Sequence, residues 1–154
     1  MSYIPPMSKT DYIPRPMPPW ELIFWLLLDA AILYLLIRVG LTHPDARGIG
    51  THEQLGRPPC SWPILYNMPC PTCGVTTATA HLLHLHPIRA FLTQPFGMAL
   101  ALSAVGMVLG SIWFGVRGES LLFRLSRWNW GLVLLGGVVL LLVSWWWKVA
   151  TWGG

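Results

Sequence analysis

The chain has 154 residues, of which 54% are hydrophobic and only 10% are charged, and its mean hydropathy is +0.53. This composition excludes an ordinary soluble domain and predicts an integral membrane protein. The ten Lys and Arg residues give a net charge of +4, but they are spread along the sequence, which argues against binding of nucleic acid. We therefore expect its partners to be membrane lipids and other membrane-protein subunits.

The N-terminal part combines a proline-rich segment with a first apolar run. Residues 1–19 contain six prolines, which excludes a helix and predicts an extended strap. Residues 20–39 are mostly Leu, Ile, Phe and Ala. Twenty helical residues extend about 30 Å, the thickness of the bilayer core. We predict the first transmembrane helix here.

A carboxyl group lies in the middle of this first span, at Asp29. A charged side chain at that depth costs about 2.5 to 3.5 kcal/mol, so it should be protonated, hydrogen-bonded or paired. Within the chain, its partner could be Ser103, the nearest polar candidate, or a backbone carbonyl. The alternative is a group on a neighbouring subunit, which makes Asp29 a candidate partner contact.

The remaining sequence predicts an extramembrane segment followed by two more spans. Residues 40–95 are rich in Gly, Pro and His, and they include a helix at about 74–86 that is too short to cross the bilayer and should lie at its surface. Two further apolar runs follow, so the fold class is an all-α membrane protein with three transmembrane helices. The predicted segments are transmembrane helix 2 at 96–116, a loop at 117–127, transmembrane helix 3 at 128–147 and a tail at 148–154.

Small residues on the second span form the pattern Gly106-x-x-x-Gly110. This spacing lets two helices approach closely. The glycines could pack within the monomer or against a second subunit, so Gly106 and Gly110 are also candidate partner contacts.

Three cysteines carry the chemistry that the sequence offers. Cys60, Cys70 and Cys73 form the pattern C-x9-C-P-x-C-G. Such thiols can form a disulfide, bind a metal as thiolates, or sit as a thiolate at a helix start. A zinc site would combine Cys60, Cys70 and Cys73 with His81 or His84, which makes zinc the candidate cofactor. A membrane thiol-disulfide redox protein would instead use Cys70 and Cys73, with Cys60 as an exchange partner.

The segment from Pro69 to Thr76 resembles the domain-of-unknown-function family 2752, a group of small bacterial membrane proteins. Its hallmark is a Cys, a short apolar stretch and then Pro-Cys-Pro-x-Cys-Gly-x-Thr. The resemblance covers roughly residues 56–116. The hallmark usually continues with Arg, whereas this chain has Thr77. The resemblance implies no particular reaction.

Taken together, these features lead us to expect a non-catalytic accessory or structural subunit of a multi-subunit membrane complex. The CPxCG segment would be a structural clamp, through a disulfide or buried thiols, and we assign no catalytic residue. Cations near the span ends number five on each side, and discounting Arg57, far from any span, favours a cytoplasmic N-terminus. This orientation predicts a multi-pass protein of the bacterial inner membrane with its cysteine loop on the periplasmic side.

Overall fold

The computed structural model describes residues 15–152 and shows an all-helical chain in that range. Besides the α-helices, this range contains a 3-10 helix at Thr51–Leu55 and an isolated antiparallel bridge between Pro16 and Glu119. In chain order the α-helices are α1 (Pro19–Gly40), α2 (Ser61–Tyr66), α3 (Val75–Leu83), α4 (Pro87–Thr93), α5 (Pro95–Arg117), α6 (Leu121–Ser126) and α7 (Trp130–Ala150).

Three of these helices are long and apolar enough to cross a membrane, as predicted. Helices α1, α5 and α7 reach mean hydropathies of 2.2, 1.9 and 2.0, and they make the chain a multi-pass membrane protein. Their ends lie within one to three residues of the predicted ones. The difference matters most at the C-terminus, where α7 continues to Ala150 and therefore includes Lys148, which we had assigned to the tail.

Residues 41–94 lie between α1 and α5, and we call them the cap. The predicted surface helix becomes α3, which is more central than expected: it packs against α1, α4 and α5, and Thr77, Ala78 and Ala80 on it are buried. The crossing with α5 is close, since a Cβ on Gly97 would lie 2.8 Å from the Cα of Val75. The surface position belongs to α4, whose Ile88 and neighbouring apolar side chains are exposed.

Two hydrogen bonds fix the antiparallel register of α1 and α5. The Ser111 hydroxyl on α5 bonds the Asp29 carboxyl group on α1, and the Ser120 hydroxyl just beyond α5 donates to Glu21 at 2.7 Å. Asp29 is therefore hydrogen-bonded within the chain, one of the outcomes expected for a carboxyl group at mid-span.

Ser103, the side chain named as a candidate partner of Asp29, is not its hydrogen-bond partner. Ser103 lies eight residues before Ser111, about 12 Å along the helix. It donates to the carbonyl of Ala99 on its own helix at 2.8 Å. The register depends on contacts between distant residues, such as that of Ser120 with Glu21, and hydropathy gives the depth of a residue without giving the stagger between two spans.

A second carboxyl group, Glu21, closes the α1 and α5 pair at the other end. It is 1% exposed. Besides the Ser120 hydroxyl, it accepts hydrogen bonds from the Leu122 N–H at 2.9 Å and from the Trp25 indole at 3.2 Å. Sequence reasoning missed Glu21 because its main partner lies 99 residues further along the chain.

The end of the predicted strap is bound by the chain itself. The Met17 N–H donates to the Gly118 carbonyl at 2.8 Å, and the Ser120 N–H donates to the Arg15 carbonyl at 2.9 Å. The rest of the strap, residues 1–14, lies outside the described residues.

The glycine pattern on α5 is open toward its surroundings. A Cβ added at Gly106 or Gly110 would meet no atom of the described residues within 4 Å, other than the backbone of its own helix. Packing within the monomer, one of the two alternatives for this pattern, therefore does not occur in the described part of the chain.

We predict that Ser111→Ala destabilises the protein by about 1 to 3 kcal/mol, because the Asp29 carboxyl group loses its hydrogen-bond partner in a buried position. Ser103→Ala is the matched control. It removes the same hydroxyl from an exposed site on the same helix and should change stability by less than about 0.5 kcal/mol. Thermal unfolding in detergent measures both, and equal effects would contradict the register described here.

Candidate metal centre

The cysteine-bearing turn, residues 69–74, is built by local hydrogen bonds just before α3. The Cys73 N–H donates to the Cys70 carbonyl at 3.0 Å, and the Val75 N–H donates to the Thr72 carbonyl at 3.2 Å. Gly74 then adopts a φ of +92°, in the left-handed region that glycine tolerates best. The turn therefore presents Cys70 and Cys73 on one side and leads directly into the helix.

Side chains from the membrane helices hold this turn in place. The Trp145 indole on α7 donates to the Pro69 carbonyl at 2.9 Å, and the fully buried Gln94, immediately before α5, donates to the Pro71 carbonyl at 3.0 Å. Proline has no backbone N–H, but its carbonyl oxygen still needs a hydrogen-bond donor when it is buried. The cap is thereby fixed to the ends of two spans.

The third thiol reaches the turn through a reversal of the chain at α2. Cys60 immediately precedes α2, and Asn67 after it has a φ of 50°, which turns the chain back toward Cys70. The Sγ atoms of Cys70 and Cys73 are 2.8 Å apart, and the Sγ of Cys60 lies 3.7 Å from each of them. All three are free thiols. We call them the thiol cluster, and they lie close enough together to bind one metal ion.

The two thiols of the turn differ in acidity. Burial raises the pKa of Cys70, but hydrogen bonds from the Cys73, Thr72 and Cys60 side chains outweigh it, so that the pKa is lowered overall. Burial and the adjacent Cys70 sulfur raise the pKa of Cys73 well above that of a free thiol. Cys70 is thus the thiol that ionises first.

The thiol cluster forms part of the wall of a cavity of about 470 Å³. His52 and Glu53 on the 3-10 helix also line this cavity, as does Arg47. The Arg47 guanidinium pairs with Asp45 at 2.8 Å and with Glu53 at 3.2 Å. The hydrogen bond from the Arg47 guanidinium holds the pKa of Asp45 below the usual range of a carboxyl group.

The position where the family hallmark usually has Arg is buried here. Thr77 is 0% exposed, and its hydroxyl lies 2.9 Å from that of Thr51, which also accepts a hydrogen bond from the Asp45 N–H at 3.0 Å. Position 77 therefore joins the loop to α3 through neutral groups, with no cation there.

A cation reaches the turn from α7 instead. The Lys148 side chain is buried, and its Nζ donates to the Gly48 carbonyl at 3.0 Å and to the Thr93 carbonyl at 3.3 Å. A Cβ on Gly74 would lie 3.3 Å from this Nζ, so the ammonium group is adjacent to the turn. Sequence reasoning missed Lys148 because it treated this residue as the first of a free tail.

Neither candidate histidine joins the thiol cluster in the structure. The Nε2 of His84 is 3.0 Å from the Thr42 carbonyl, and its ring stacks on His43. His81 lies in a different cavity, edge-on to His86. Burial lowers the pKa of His81, with smaller contributions from the charges of Arg89, His86 and His84.

Comparison with known proteins identifies one matching family. The model of the family described as "Protein of unknown function (DUF2752)" matches residues 60–108. The resemblance predicted from the motif is confirmed. The DUF2752 region begins at Cys60, contains all three thiols and α3, and ends within α5. No curated protein and no solved structure matches the chain.

We predict that Gly74→Ala disrupts the cap more than Gly56→Ala does. Both glycines have a positive φ, so alanine is strained by about 1 to 2 kcal/mol at either position. Only at Gly74 would the new Cβ also approach the Gly48 carbonyl oxygen, at 2.8 Å, whereas Gly56 has nothing within 4 Å. Thermal unfolding in detergent compares the two variants. Equal losses of stability in the two variants would contradict the close approach of Gly74 to the Gly48 carbonyl.

Proposed function

We propose that the thiol cluster binds a single zinc ion, which clamps the cap of a non-catalytic membrane subunit. The observation that carries the proposal is the convergence of three sulfur atoms from two separate stretches of the chain, with Sγ separations between 2.8 and 3.7 Å. A metal held there would tie Cys60 to the turn across α2, a helix with no buried residue of its own.

The donor set fits a thiophilic metal. Zinc binds thiolates at about 2.3 Å with tetrahedral geometry, which separates neighbouring sulfurs by about 3.8 Å. Both distances from Cys60 are 3.7 Å, close to that edge, and the separation of Cys70 from Cys73 would widen from 2.8 Å. Calcium and magnesium prefer oxygen ligands, so three sulfurs do not favour them.

The fourth ligand would come from the cavity side of the cluster. His52 lines that cavity on the 3-10 helix, and its imidazole would have to move toward the cluster to complete a closed set of three sulfurs and one nitrogen, because the ligand group within 4.8 Å holds only the three cysteines among the described residues. This choice replaces His81 and His84, which the fold directs to other contacts. A closed set is typical of a structural site, in keeping with a subunit that carries out no reaction.

A thiol-disulfide redox function is the second candidate, because the Sγ atoms of Cys70 and Cys73 lie 2.8 Å apart and both thiols are free. The Cys70 thiolate would attack an incoming disulfide and release one of its sulfurs as a thiolate. Cys73 would then attack the mixed disulfide and give its proton to the second released sulfur. The products would be a Cys70–Cys73 disulfide, one external thiolate and one external thiol, with two electrons passed to the incoming disulfide.

We also propose that the protein lies in a bacterial inner membrane with the cap on the periplasmic side, from the bacterial resemblance and from the count of cations near the spans. The side of the membrane bears on the chemistry, because the periplasm favours disulfides and the cytoplasm favours free or metal-bound thiols.

Assembly with other subunits is supported by the open glycine pattern on α5. Gly106 and Gly110 have no neighbour from the described residues, although small residues at this spacing are typical of helix contacts in membranes. A neighbouring helix packed on this face would supply the contact that the glycines lack. The Asp29 carboxyl group adds no support, because its unpartnered Oδ1 is buried within the chain, out of reach of another subunit.

We predict one zinc ion per purified chain, measured by elemental analysis, and its loss in Cys70→Ser. Thr76→Ala, which changes another residue of the same cavity, should keep the metal.

Alkylation of the intact protein with and without reductant tests the redox alternative. A disulfide would leave one thiol reactive before reduction and three after it. The same labelling of intact cells with an impermeant reagent tests the side of the membrane. Metal-free protein would contradict the zinc site, and three thiols that stay reactive after incubation with an external disulfide would contradict the redox alternative.

We predict that Gly110→Leu reduces the size of the assembly solubilised gently from its native membrane, because the larger side chain would hold a neighbouring helix away. Gly115→Leu is the control. It is the same change at an equally open position, about 140° around the helix from Gly110. Native gel electrophoresis measures the size. A monomeric wild-type protein, or equal effects of the two changes, would contradict docking through this face.

A further inference from the structure

A second cavity, of about 400 Å³, lies at the base of the cap where α3, α4 and the end of α7 meet the loop at 45–48. The charged and ionisable side chains on its wall are His81, Arg89, Lys148 and Asp45. None of the residues that line it also lines the cavity of the thiol cluster. The two cavities can therefore bind different ligands.

The charge of this second cavity is positive. Among the described residues, the carboxylate on its wall is that of Asp45, which is already paired with Arg47 at 2.8 Å. Among the described residues, the ion pairs are those that Arg47 makes with Asp45 and Glu53, so neither Arg89 nor Lys148 has a carboxylate partner there. Two basic side chains thus line one cavity without a paired carboxylate among the described residues.

Lys148 supports a bound anion more strongly than Arg89 does, because Lys148 is only 9% exposed. An ammonium group has three N–H donors, and the carbonyls of Gly48 and Thr93 accept two of them. Burial of a charge that has only neutral partners is costly, and a bound anion would offset that cost.

The position of the cavity in the protein corresponds to the headgroup level of a bilayer. Lys148 follows the Trp145–Trp147 run near the end of α7, and the Trp147 indole donates to the carbonyl of Leu92, which lines the cavity, at 3.4 Å. On α4, the helix that carries Arg89, the side chains of Ile88 and Phe91 are 75% and 56% exposed. Tryptophans at span ends and short helices with exposed apolar side chains are typical of the membrane interface.

We propose that this cavity binds a phosphoryl group, with Arg89 and Lys148 as its cationic ligands. Guanidinium and ammonium groups are the usual partners of phosphate, and Arg can donate two parallel hydrogen bonds to it. The group would belong to an anionic phospholipid at the membrane surface or to a free phosphate ester. A cation is excluded as the ligand by the two unbalanced positive charges. None of the residues of this site is a ligand of the proposed zinc ion, although Lys148 also lies beside the cysteine-bearing turn.

The test uses the full-length protein in neutral detergent, where no charged membrane surface contributes. Native mass spectrometry measures the retention of phosphatidylglycerol and of phosphatidylcholine, and calorimetric titration with inorganic phosphate tests the free ion. Arg89→Gln changes an exposed residue that should not be needed for folding. Arg57→Gln removes the same charge from an exposed position of the same cap, outside the cavity. Lys148→Arg keeps the charge and serves as a second comparison.

We expect Arg89→Gln to weaken binding about ten-fold or more, as for the loss of a hydrogen bond to a charged group, and Arg57→Gln to weaken it less than about two-fold. Lys148→Arg should retain binding. Preferential retention of phosphatidylglycerol that depends on Arg89 identifies a lipid headgroup. Binding of inorganic phosphate that depends on Arg89, without a preference between the lipids, identifies a free phosphate. Absence of both, or equal losses in the Arg89 and Arg57 variants, would overturn the proposal.

Discussion

Hydrogen bonds to the carbonyl groups of the cysteine-bearing turn connect the cap to the membrane helices, and the arrangement of the thiols depends on them. Trp145 and Gln94 donate to the carbonyls of Pro69 and Pro71. Lys148 reaches the adjoining loop through the Gly48 carbonyl. Because these donors belong to the ends of α5 and α7, the turn cannot shift without losing partners in a buried setting. The spans thus form a rigid base for the thiol cluster.

Within the cap, contacts between uncharged groups and a close helix crossing hold the segments in place. The buried hydroxyls of Thr51 and Thr77 join the loop to α3, and Gly97 lets α5 pass close to the start of that helix. At the far end of the bundle, Glu21 joins α1 to the segment after α5. These polar contacts are directional, so they fix the orientation of neighbouring segments more closely than apolar packing alone would. The result is a short helical bundle that holds its cap in one position.

Sequence reasoning gave the helical fold, the three spans and the grouping of the cysteines, because these follow from local hydropathy and from a compact motif. It could not give contacts that depend on register between distant segments. Asp29 bonds Ser111 instead of Ser103, and Glu21 was missed altogether. His81 and His84 are three residues apart, yet they make separate contacts, because His84 lies against the Thr42 carbonyl while His81 lines the second cavity. Lys148 was missed since its role depends on where α7 ends.

The central claim is that three thiolates of one chain hold one metal ion against the membrane helices. X-ray absorption spectroscopy at the zinc edge of the purified protein tests it most directly. The account predicts three sulfur neighbours at about 2.3 Å and one nitrogen or oxygen at about 2.0 to 2.2 Å. A first shell with no sulfur, or with fewer than three sulfur atoms, would contradict it.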